Sequence, residues 1–436
     1  MNWQTLKLLR ILCDRRITAV PLRVLGELRR RGKRRMPDAV EQELLDRQRW
    51  GGNTWRLVRQ WLGSENLTRH NGRWMLNSFL PPFPSPAFDR MFENLLSGRE
   101  LSPVSAFLAV TWECPGNCRY CSAGRRRPGY LTTAQWRQII ASLRDGGVSI
   151  IGFTGGEPLT RSDLAELIRT AADGGCTTIL FTSGAGLNPD RIKQLQEAGL
   201  WSLCVSLDHD DPAAFDAVRG RSGAWQDAVT ALQRAKKAGF YTMIGSVAGP
   251  EFVEQHTYEQ IHRLGARLGV DEYRLVEQMP CGKALDFSPD AFLNGEQIQQ
   301  LRKFHQTANQ RGLRPKVCAF NQVESPELFG CGGGSQHLYI DAAGEVCPCD
   351  FTPLSFGNVT REAFGDIWTR MTAAMAGPRR ECFIRKHHAL LQPYAELPGA
   401  LPLTPDASCQ ICRQAGTEPY PDYFQMVTGR TGRKTK

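Results

Sequence analysis

Residues 111–121 decide the fold: they read TWECPGNCRYC and place cysteines at positions 114, 118 and 121. The apolar run 106–110 comes directly before them. A C-x3-C-x2-C loop of this span can wrap three thiolates around one small inorganic cluster. A four-iron cluster needs four outer ligands, and thiolates are the usual ones. Three cysteines therefore leave one iron open, and an open position is typical of a reactive metal site, whereas structural sites are closed.

Zinc and disulfide bonds are the two alternatives for these cysteines. Zinc sites use paired C-x2-C units or nearby histidines, and no histidine lies between Cys114 and Cys121, the next one downstream being His209. Disulfides require an oxidising compartment, and the first residues, MNWQT, do not read as a secretory signal. The 14 cysteines are therefore expected in a reducing cytosol, where clustered cysteines indicate metal.

A second motif, TGGEP at residues 154–158, follows the next apolar run. Alone it reads as an ordinary turn, but at this distance after C-x3-C-x2-C the pair resembles the radical S-adenosylmethionine (radical SAM) superfamily. The resemblance implies a [4Fe–4S] cluster on Cys114, Cys118 and Cys121 whose open iron chelates SAM. It also implies reductive cleavage of SAM to a 5′-deoxyadenosyl radical, which abstracts hydrogen from a substrate.

The same resemblance implies further SAM contacts. The residues concerned are Gly155, Gly156, Glu157 and Pro158 for the amino group, Tyr120 beside the adenine, Ser183, Ser206 and Asp208 toward the ribose, and Arg219 for the carboxylate. Glycines let backbone carbonyls approach a ligand, a carboxylate accepts from an ammonium, and an arginine fork suits a carboxylate. Residues 215–220, FDAVRG, are similar to a segment of peptide-modifying members. The alternatives are packing for Tyr120, ordinary loop polarity for the serines and a surface ion pair for Arg219.

Strand-like and helix-like runs alternate from residue 104 to residue 280. The strand-like runs are 106–111, 149–154, 178–182, 202–207, 241–247 and 272–276, and the helix-like runs between them include 133–145, 162–173, 190–198, 224–238 and 254–268. This alternation predicts an α/β fold with a parallel sheet. A doubly wound sheet competes. The resemblance favours a partial (β/α)6 TIM-like barrel, in which catalytic groups follow the C-terminal ends of the strands.

Residues 315–436 are rich in cysteine, glycine and proline and contain a second set of cysteines, Cys331, Cys349, Cys409 and Cys412. Residues 338–346 read as a β-hairpin that returns Cys349 toward Cys331. The spacing C-x12-G-x4-C resembles the opening of a SPASM domain, which implies four thiolates around an auxiliary [4Fe–4S] cluster. No cysteine follows Cys412, so the shorter twitch form with one auxiliary cluster is expected. Zinc is the alternative metal, and Cys347 is the rival of Cys349, since an extended 345–349 points both to one face.

Three of the cysteines outside these two sets are candidates for a further role. Cys281 follows the sixth strand-like run, at the edge predicted for the active site. Its thiol is a candidate catalytic group that returns a hydrogen atom to a substrate radical, with a bystander role as the alternative. Cys318 and Cys382 are either spare ligands or buried thiols, and the sequence favours neither.

The net charge of +10 is concentrated at the N-terminus. Residues 1–35 carry eleven basic and two acidic side chains, so the other 401 residues sum to +1. Leucines at helical spacing among the basic residues predict an amphipathic helix, which either binds an anionic membrane surface or packs as a solvated cap. The helical extension is expected to span residues 1–100, with a stiff linker at 81–86, the barrel 101–314, and the auxiliary-cluster domain 315–436.

These features predict a radical SAM oxidoreductase or maturase with SAM, its [4Fe–4S] cluster and one auxiliary [4Fe–4S] cluster. Maturation of a ribosomally made peptide by crosslinking, epimerisation or oxidation is the leading hypothesis. Radical chemistry on a membrane lipid or isoprenoid and dehydrogenation or epimerisation of a carbohydrate are the alternatives. An electron donor such as flavodoxin or ferredoxin is implied, and nucleic acid is disfavoured because no ladder of aromatics accompanies the basic charge. The expected location is the cytoplasm, peripheral on the inner face of the membrane if residues 1–35 bind lipid.

Overall fold

The computed structural model describes residues 61–96, 103–395 and 401–428. The basic segment 1–35, on which the membrane hypothesis depends, lies outside the described residues, and so does the boundary predicted at residue 100. Within the described ranges, no helix combines the length and the hydropathy needed to cross a bilayer.

The described residues form eleven strands, numbered in chain order. They are β1 (Thr68–His70), β2 (Arg73–Met75), β3 (Ser105–Thr111), β4 (Ile150–Gly155), β5 (Thr177–Thr182), β6 (Ser202–Ser206), β7 (Tyr241–Ala248), β8 (Glu272–Glu277), β9 (Lys316–Ala319), β10 (His337–Ile340) and β11 (Val346–Cys347). Strands β3 to β8 lie within one residue of the six predicted runs at each end.

Nine of the strands form one central sheet, in the order β11-β10-β3-β4-β5-β6-β7-β8-β9. All neighbours pair in parallel except β10 and β11, which form the predicted hairpin. The sheet is mostly parallel and open, with β3 to β8 at its centre. The predicted α/β fold with a partial (β/α)6 barrel is therefore confirmed.

Helices connect the strands and cover one face of the sheet. They are α1 (Pro86–Leu96), α2 (Thr133–Asp145), α3 (Leu164–Asp173), α4 (Pro189–Glu197), α5 (Pro212–Arg219), α6 (Ala224–Lys237), α7 (Pro250–Glu254), α8 (Thr257–Arg267), α9 (Gly295–Gln310), α10 (Phe320–Val323), α11 (Phe364–Met375), α12 (Phe383–His387), α13 (Gln392–Ala395), α14 (Pro405–Ala415) and α15 (Asp422–Thr428). The helix predicted at 254–268 corresponds to α8, which begins after His256 in the left-handed conformation and is preceded by the short helix α7.

Local sequence signals explain where helices begin and end. Helix α2 begins at a capping box in which Thr132 and Gln135 bond to each other's backbone N–H groups. Helix α5 begins at Asp211, whose side chain accepts from Ala214 N, and ends at Gly220 with φ 60°. Arg219 is therefore fixed as the last residue of α5.

Successive side chains of β3 alternate between two hydrophobic cores, one on each face of the sheet. Ala106, Leu108 and Val110 pack against the helices, while Phe107 and Ala109 face the barrel interior. This is the period of two that a strand buried on both faces requires. The boundary predicted at residue 315 does not follow the sheet, because β9 pairs with β8 and β10 pairs with β3. The C-terminal region thus extends the barrel sheet.

Residues 64–79 close the N-terminal end of the barrel, and they contain two short strands within the extension that was expected to be mostly helical. Strands β1 and β2 pair around a turn at Asn71 and Gly72, both with positive φ. Under this hairpin, Lys316 Nζ donates to the carbonyls of Met75 (2.8 Å) and Leu76 (2.9 Å). Asn71 and Gly72 favour a tight turn, and this segment therefore forms a hairpin where a helix was expected.

A buried ion pair anchors this closure. Lys316 Nζ lies 3.9 Å from a carboxylate oxygen of Glu272, and the two side chains are 1% and 0% exposed. Burial lowers the pKa of Lys316, and the charge of Glu272 opposes that shift. Glu272 also accepts from Ser78 N (3.2 Å) and from Tyr241 Oη (2.9 Å). The pair joins β8 and β9 to the N-terminal segment.

Replacing Lys316 with Met should lower the free energy of unfolding by about 3–5 kcal/mol, because the Glu272 carboxylate is left buried without its cation. The double variant Lys316→Met/Glu272→Gln should lose less, because no charge remains unpaired. Urea unfolding under anaerobic conditions measures both. Lys303→Met, on the exposed side of α9, is the control and should unfold with the wild type. Equal unfolding midpoints for Lys316→Met and Lys303→Met would contradict the role of the pair.

Candidate metal centres and cofactor site

The predicted cysteine loop follows β3 at the C-terminal edge of the sheet. Cys114 is exposed, and Cys118 and Cys121 are half-buried. A Cβ atom on Gly116 would lie 3.8 Å from Cys114 Sγ and 4.0 Å from Cys118 Sγ, so both thiols flank this glycine. Burial raises the pKa of Cys114, and the charges of Glu157, Cys118 and Cys121 add to that shift. The three thiols are thus mutual neighbours.

Backbone contacts fix the far end of the cysteine loop. The carbonyl of Cys121 accepts from Gly124 N (3.1 Å) and Lys283 N (3.0 Å). Gly282 has φ 54°, and a Cβ atom there would overlap the Cys121 carbonyl. Only glycine combines this conformation with so close an approach. The segment after β8 therefore positions the third cysteine.

The TGGEP motif packs directly on the cysteine loop. Gly156 N donates to Thr111 O (2.7 Å) and Glu157 N donates to Glu113 O (2.6 Å). Gly155 has φ 131°, and a Cβ atom on it would overlap the Thr111 carbonyl. A Cβ atom on Gly156 would lie 2.6 Å from Trp112 O. The two glycines are required by the close approach of the two loops.

The carboxylate of Glu157 accepts hydrogen bonds from other residues of the protein. It accepts from Leu159 N (3.1 Å), Thr182 Oγ1 (2.7 Å), Ser183 N (2.7 Å) and Ser183 Oγ (2.5 Å). Burial raises its pKa, while the hydrogen bonds from Ser183 and Thr182 lower it. The predicted contact of this carboxylate with an ammonium group stays a prediction. Gly155 and Gly156 contribute backbone carbonyls to the motif, and Pro158 begins a short 3-10 helix.

Three of the predicted SAM-binding residues form one network. Asp208 accepts from Tyr120 Oη and from Arg219 Nη2 (2.5 Å) through one oxygen, and from Val247 N (2.8 Å) through the other. Arg219 Nη1 lies 3.4 Å from Cys118 Sγ. Burial lowers and the charge of Asp208 raises the pKa of Arg219, with a net rise that keeps the guanidinium charged. The network joins the cysteine loop to the ends of β6 and α5.

The two predicted serines lie at neighbouring strand ends. Ser183 follows β5, and its hydroxyl donates to Glu157, so its predicted contact with a ribose competes with this bond. Ser206 is the last residue of β6, half-buried and opposite Gly245 of β7. Both serines therefore lie on the edge of the sheet that carries the cysteine loop.

Cys281 lies where the barrel meets the C-terminal region. Its thiol is 3% exposed and lines a small cleft together with Ser122, Arg126 and Asp350. Burial raises the pKa of Cys281, Asp350 adds to the shift and Arg126 opposes it. The residue is a neutral thiol close to Cys121. Cys318, by contrast, is buried on β9 near Glu272, away from this edge.

In the C-terminal region two of the predicted cysteines, Cys331 and Cys349, lie near Cys382, which was not in the predicted ligand set. Cys331 and Arg379 form an antiparallel bridge (N–O distances 2.7 and 3.2 Å), which brings Cys382 beside Cys331. Hydrogen bonds from Cys382 and from the N–H groups of Phe383 and Gly333 lower the pKa of Cys331 to about 6, although burial opposes this. The charge of Cys331 raises the pKa of Cys349, and the charge of Cys349 raises the pKa of Cys382, so the three thiols are neighbours. The converging set is Cys331, Cys349 and Cys382.

Cys409 and Cys412 lie elsewhere, on one face of helix α14. Cys412 Sγ contacts Met375 Sδ (3.7 Å) in the hydrophobic core, and burial raises the pKa of Cys412 to about 12. Arg379, which bridges to Cys331, donates through its guanidinium to Gly416 O (2.8 Å), just past α14. The predicted C-x2-C ligand pair thus has its thiols on a packed helix.

The backbone changes direction between Cys347 and Cys349. Strand β11 ends at Cys347, and Cys349 bridges to Thr352 in a turn, so the extended backbone expected for 345–349 is not present. Cys347 is buried in the barrel interior with Ala109 and Tyr339. Cys349 Sγ lies 3.2 Å from Thr352 Oγ1. Of the two rivals, Cys349 is the neighbour of Cys331.

Arg126 joins the two halves of the site. Its guanidinium lies 3.5 Å from Cys347 Sγ, donates to Asp350 O (3.0 Å) and stacks over Tyr339 at 4.7 Å. Arg127 N donates to Leu401 O (2.9 Å). The loop that carries the first cysteine set therefore also holds the C-terminal region. Nothing in the sequence marked Arg126 beyond its position after the cysteine motif.

The two thiol sets suit iron–sulfur clusters in their donor chemistry. At the first site two of the three thiols flank Gly116, and at the second site backbone N–H groups and a threonine hydroxyl surround the sulfurs, as they do around cluster ligands. In the part of the chain that the structure describes, no group of three or more His, Cys, Asp or Glu residues is arranged to hold a single metal ion.

Comparison with protein families identifies both regions. The model of the radical SAM superfamily matches residues 109–264, and the model of the SPASM iron–sulfur cluster-binding domain matches residues 331–393. The first match contains the cysteine loop and TGGEP. The second contains Cys331, Cys349 and Cys382 and ends before Cys409.

Curated proteins with similar sequences include AdoMet-dependent heme synthases. The protein of Nitratidesulfovibrio vulgaris (strain Hildenborough) is 27% identical over 295 residues, which cover 62% of this chain and 80% of that protein. The protein of Methanosarcina barkeri (strain Fusaro) is 26% identical over 287 residues, which cover 59% of this chain and 81% of that protein.

Solved structures with a similar fold include two complexes. SuiB of Streptococcus suis bound to the precursor peptide SuiA has a TM-score of 0.53 at 16% identity, covering 69% of this chain and 72% of that chain. The enzyme anSMEcpe with bound AdoMet and a Cp18Cys peptide has a TM-score of 0.51 at 15% identity, covering 75% of this chain and 97% of that chain. These likenesses show the fold.

Replacing Gly156 with Ala should remove iron from the first site only. The added methyl group meets Trp112 O and Glu113 O and displaces the cysteine loop. After anaerobic reconstitution, wild-type protein should hold about eight irons per chain and Gly156→Ala about four. Gly365→Ala, on helix α11 with open space around it, is the matched control and should keep the full count. Wild-type iron content in Gly156→Ala would show that the contact does not fix the loop.

Proposed function

We propose, since the chain belongs to the radical SAM superfamily and carries a SPASM iron–sulfur domain, that it uses SAM to abstract hydrogen from an organic substrate held between two metal sites. One observation carries the proposal: three cysteines lie on one loop at the C-terminal edge of the sheet, one thiolate fewer than a four-iron cluster needs. A [4Fe–4S] cluster bound there would supply the electron that cleaves SAM. The enzyme accordingly needs an external electron donor.

The chain's own residues would hold SAM beside this site. The guanidinium of Arg219 is fixed by Asp208 and lies next to Cys118, a position suited to the SAM carboxylate. The carbonyls of Gly155 and Gly156 would accept from the amino group. Tyr120, held by Asp208, would flank the adenine, and Ser183 and Ser206 lie at strand ends where a ribose would sit. These roles extend the sequence predictions.

The substrate would bind at the C-terminal edge of the sheet, between the two thiol sets. Cys281 lies on this path, beside Cys121 and Asp350. Its burial keeps the thiol neutral, and a neutral S–H is the form that donates a hydrogen atom. We therefore retain Cys281 as the candidate donor to a substrate radical.

The auxiliary cluster would be held by Cys331, Cys349 and Cys382, instead of the set predicted from spacing. Two observations support this revision: the three thiols converge, and the SPASM match contains them but not Cys409 or Cys412. The pair on α14 would be structural.

A tetrapyrrole is the substrate class favoured by sequence similarity. The curated relatives are heme synthases, and the alignments span about four-fifths of their length. A ribosomally made peptide is the second candidate. It is favoured by residues 215–220, which resemble peptide-modifying members, and by the position of Arg219 in that segment.

Replacing Cys118 with Ala should abolish reductive cleavage of SAM, because the first site loses one of its three thiolates. The assay measures 5′-deoxyadenosine by chromatography after addition of dithionite, with Cys176→Ala, a buried cysteine on the far side of the core, as control. Persistent 5′-deoxyadenosine in Cys118→Ala would refute the assignment.

The substrate class is tested with the wild-type enzyme. Iron tetrapyrroles that precede heme and short peptides are each added in turn. The true class should raise the rate of 5′-deoxyadenosine formation and yield a product of altered mass. Heme formation would establish the first candidate, whereas a modified peptide would establish the second and exclude the first as the preferred class.

Replacing Cys382 with Ala should remove the auxiliary cluster, reducing iron from about eight to about four per chain. Cys409→Ala should keep all of it, because that thiol lies on α14. Thiolate–metal bonds stabilise a loop-rich region, so Cys382→Ala should also become sensitive to limited proteolysis between residues 324 and 393. The opposite pattern, loss in Cys409→Ala and retention in Cys382→Ala, would restore the ligand set predicted from the sequence.

A further inference from the structure

The half of the barrel interior nearest the cysteine loop is open. Side chains of a strand alternate between its two faces, and the inward-facing residues near the N-terminal ends of the strands are buried, among them Ile150, Ile179 and Tyr241. Nearer the C-terminal ends of β4 to β8 the inward-facing residues are only half-buried: Thr154, Phe181, Ser206, Gly245, Val247 and Val276. These strands therefore enclose a space that opens toward the edge with the cysteine loop.

Arg274 lies at the floor of this space. It is the third residue of β8 and pairs with Gly245 of β7, which in turn pairs with Ser206 at the end of β6. A Cβ atom on Gly245 would have a single neighbour within 4 Å, Cys204 Sγ at 3.0 Å. The inner surface of β7 is therefore bare between Ser206 and Arg274. A ligand beside Ser206 has room to extend to the guanidinium.

Aromatic rings surround the Arg274 guanidinium. Its Cζ atom lies 4.8 Å from the ring centroid of Phe320, 5.4 Å from that of Phe181 and 5.5 Å from that of Phe79. Phe107 extends this wall, with its ring centroid 4.8 Å from that of Phe181. Aromatic faces attract a cation, but they do not replace a hydrogen-bond acceptor for its N–H groups. The site thus combines flat apolar walls with a positive charge.

The protein supplies no acidic partner for this charge. Arg274 is 3% exposed, and no carboxylate oxygen of the described residues lies within 4 Å of its nitrogens. Nη1 donates to Ser78 Oγ, and that hydroxyl donates to Glu272, whose charge is already balanced by Lys316. Nε and Nη2 have no acceptor within the described ranges, yet neither nitrogen is fully enclosed by protein atoms.

A buried positive charge without an anion is unfavourable. Guanidinium groups keep their charge when buried, so loss of a proton does not relieve this cost. Nε and Nη2 form one edge of the guanidinium, and such an edge donates two parallel hydrogen bonds to a carboxylate. A carboxylate that enters from the open space would supply both the missing acceptors and the missing negative charge.

We propose that Arg274 binds a carboxylate group of the substrate through Nε and Nη2 and so positions the substrate between the aromatic walls. The proposal rests on the function proposed above, because the space opens at the edge assigned there to SAM. The ligand that fits has a flat apolar body and a carboxylate on a short arm. A tetrapyrrole with carboxylate side chains has this form, whereas the polar backbone of a peptide would find few hydrogen-bond partners on phenylalanine rings.

The test measures binding instead of turnover, with the full chain reconstituted under anaerobic conditions. The probes are mesoporphyrin IX, a porphyrin dicarboxylic acid, and its dimethyl ester, both in the same mild detergent. Titrations followed by porphyrin absorbance give the two dissociation constants. Wild-type protein should bind the acid at least about tenfold more tightly than the ester. Arg274→Gln should weaken binding of the acid by about 10- to 100-fold and leave binding of the ester unchanged.

Matched variants make the test specific. Arg274→Lys keeps the charge but lacks the fork, so it should retain part of the preference for the acid. Gly245→Leu fills the space between Ser206 and Arg274 and should weaken binding of both probes. Arg263→Gln, on the exposed surface of α8, is the control and should match the wild type. A purely structural role of Arg274 would lower the thermal midpoint without changing the ratio of the two dissociation constants, and that result would overturn the proposal.

Failure of this proposal is distinct from failure of the function on which it rests. Equal affinity of the wild-type protein for acid and ester, or no binding of either, overturns the proposal without any need for the Arg274 variants to fold. The proposed function fails if the wild-type protein forms no 5′-deoxyadenosine from SAM and dithionite, which is measured without a porphyrin.

Discussion

Two hydrogen bonds between the ends of neighbouring strands, Gly156 N to Thr111 O and Glu157 N to Glu113 O, hold the reactive edge of this enzyme together. They require glycine at 155 and 156, since a side chain there would overlap the cysteine loop. The Glu157 carboxylate also accepts hydrogen bonds from Thr182 and Ser183, which join the motif to the end of β5. The start of the cysteine loop is thus held by the main chain of the adjacent strand.

The auxiliary region shares this constraint because it belongs to the same sheet. Strand β10 pairs with β3, the strand that leads into the cysteine loop. Arg126, five residues past Cys121, reaches Cys347 and the Asp350 carbonyl on the other side. The two thiol sets are therefore joined by a strand pair and by a buried guanidinium. A substrate between them would meet walls that cannot shift independently.

How much of this the sequence predicts depends on how local the signal is. The sequence predicts strands β3 to β8 within one residue because an apolar run and its polar ends can be read from a few consecutive residues. The contact between TGGEP and the cysteine loop follows from the parallel pairing of the strands before them. The convergence of Cys331 with Cys382 is not local: it depends on the bridge between Cys331 and Arg379. The spacing of Cys409 and Cys412 predicted ligands, whereas the helix turns both toward the core. The β1–β2 hairpin was missed inside a helical pattern.

Charge balance explains why the thiol-rich edge also collects arginines. Thiolates brought into a partly buried region need nearby cations. Arg219 lies 3.4 Å from Cys118 Sγ, and the charge of Arg379 lowers the pKa of Cys331. Arginine suits this role better than lysine, because its guanidinium stays charged when buried and its fork can bond to two groups at once. Arg219 shows this directly, with one nitrogen on Asp208 and the other on Cys118. The same side chain therefore balances the cysteine loop and fixes Asp208, which in turn holds Tyr120.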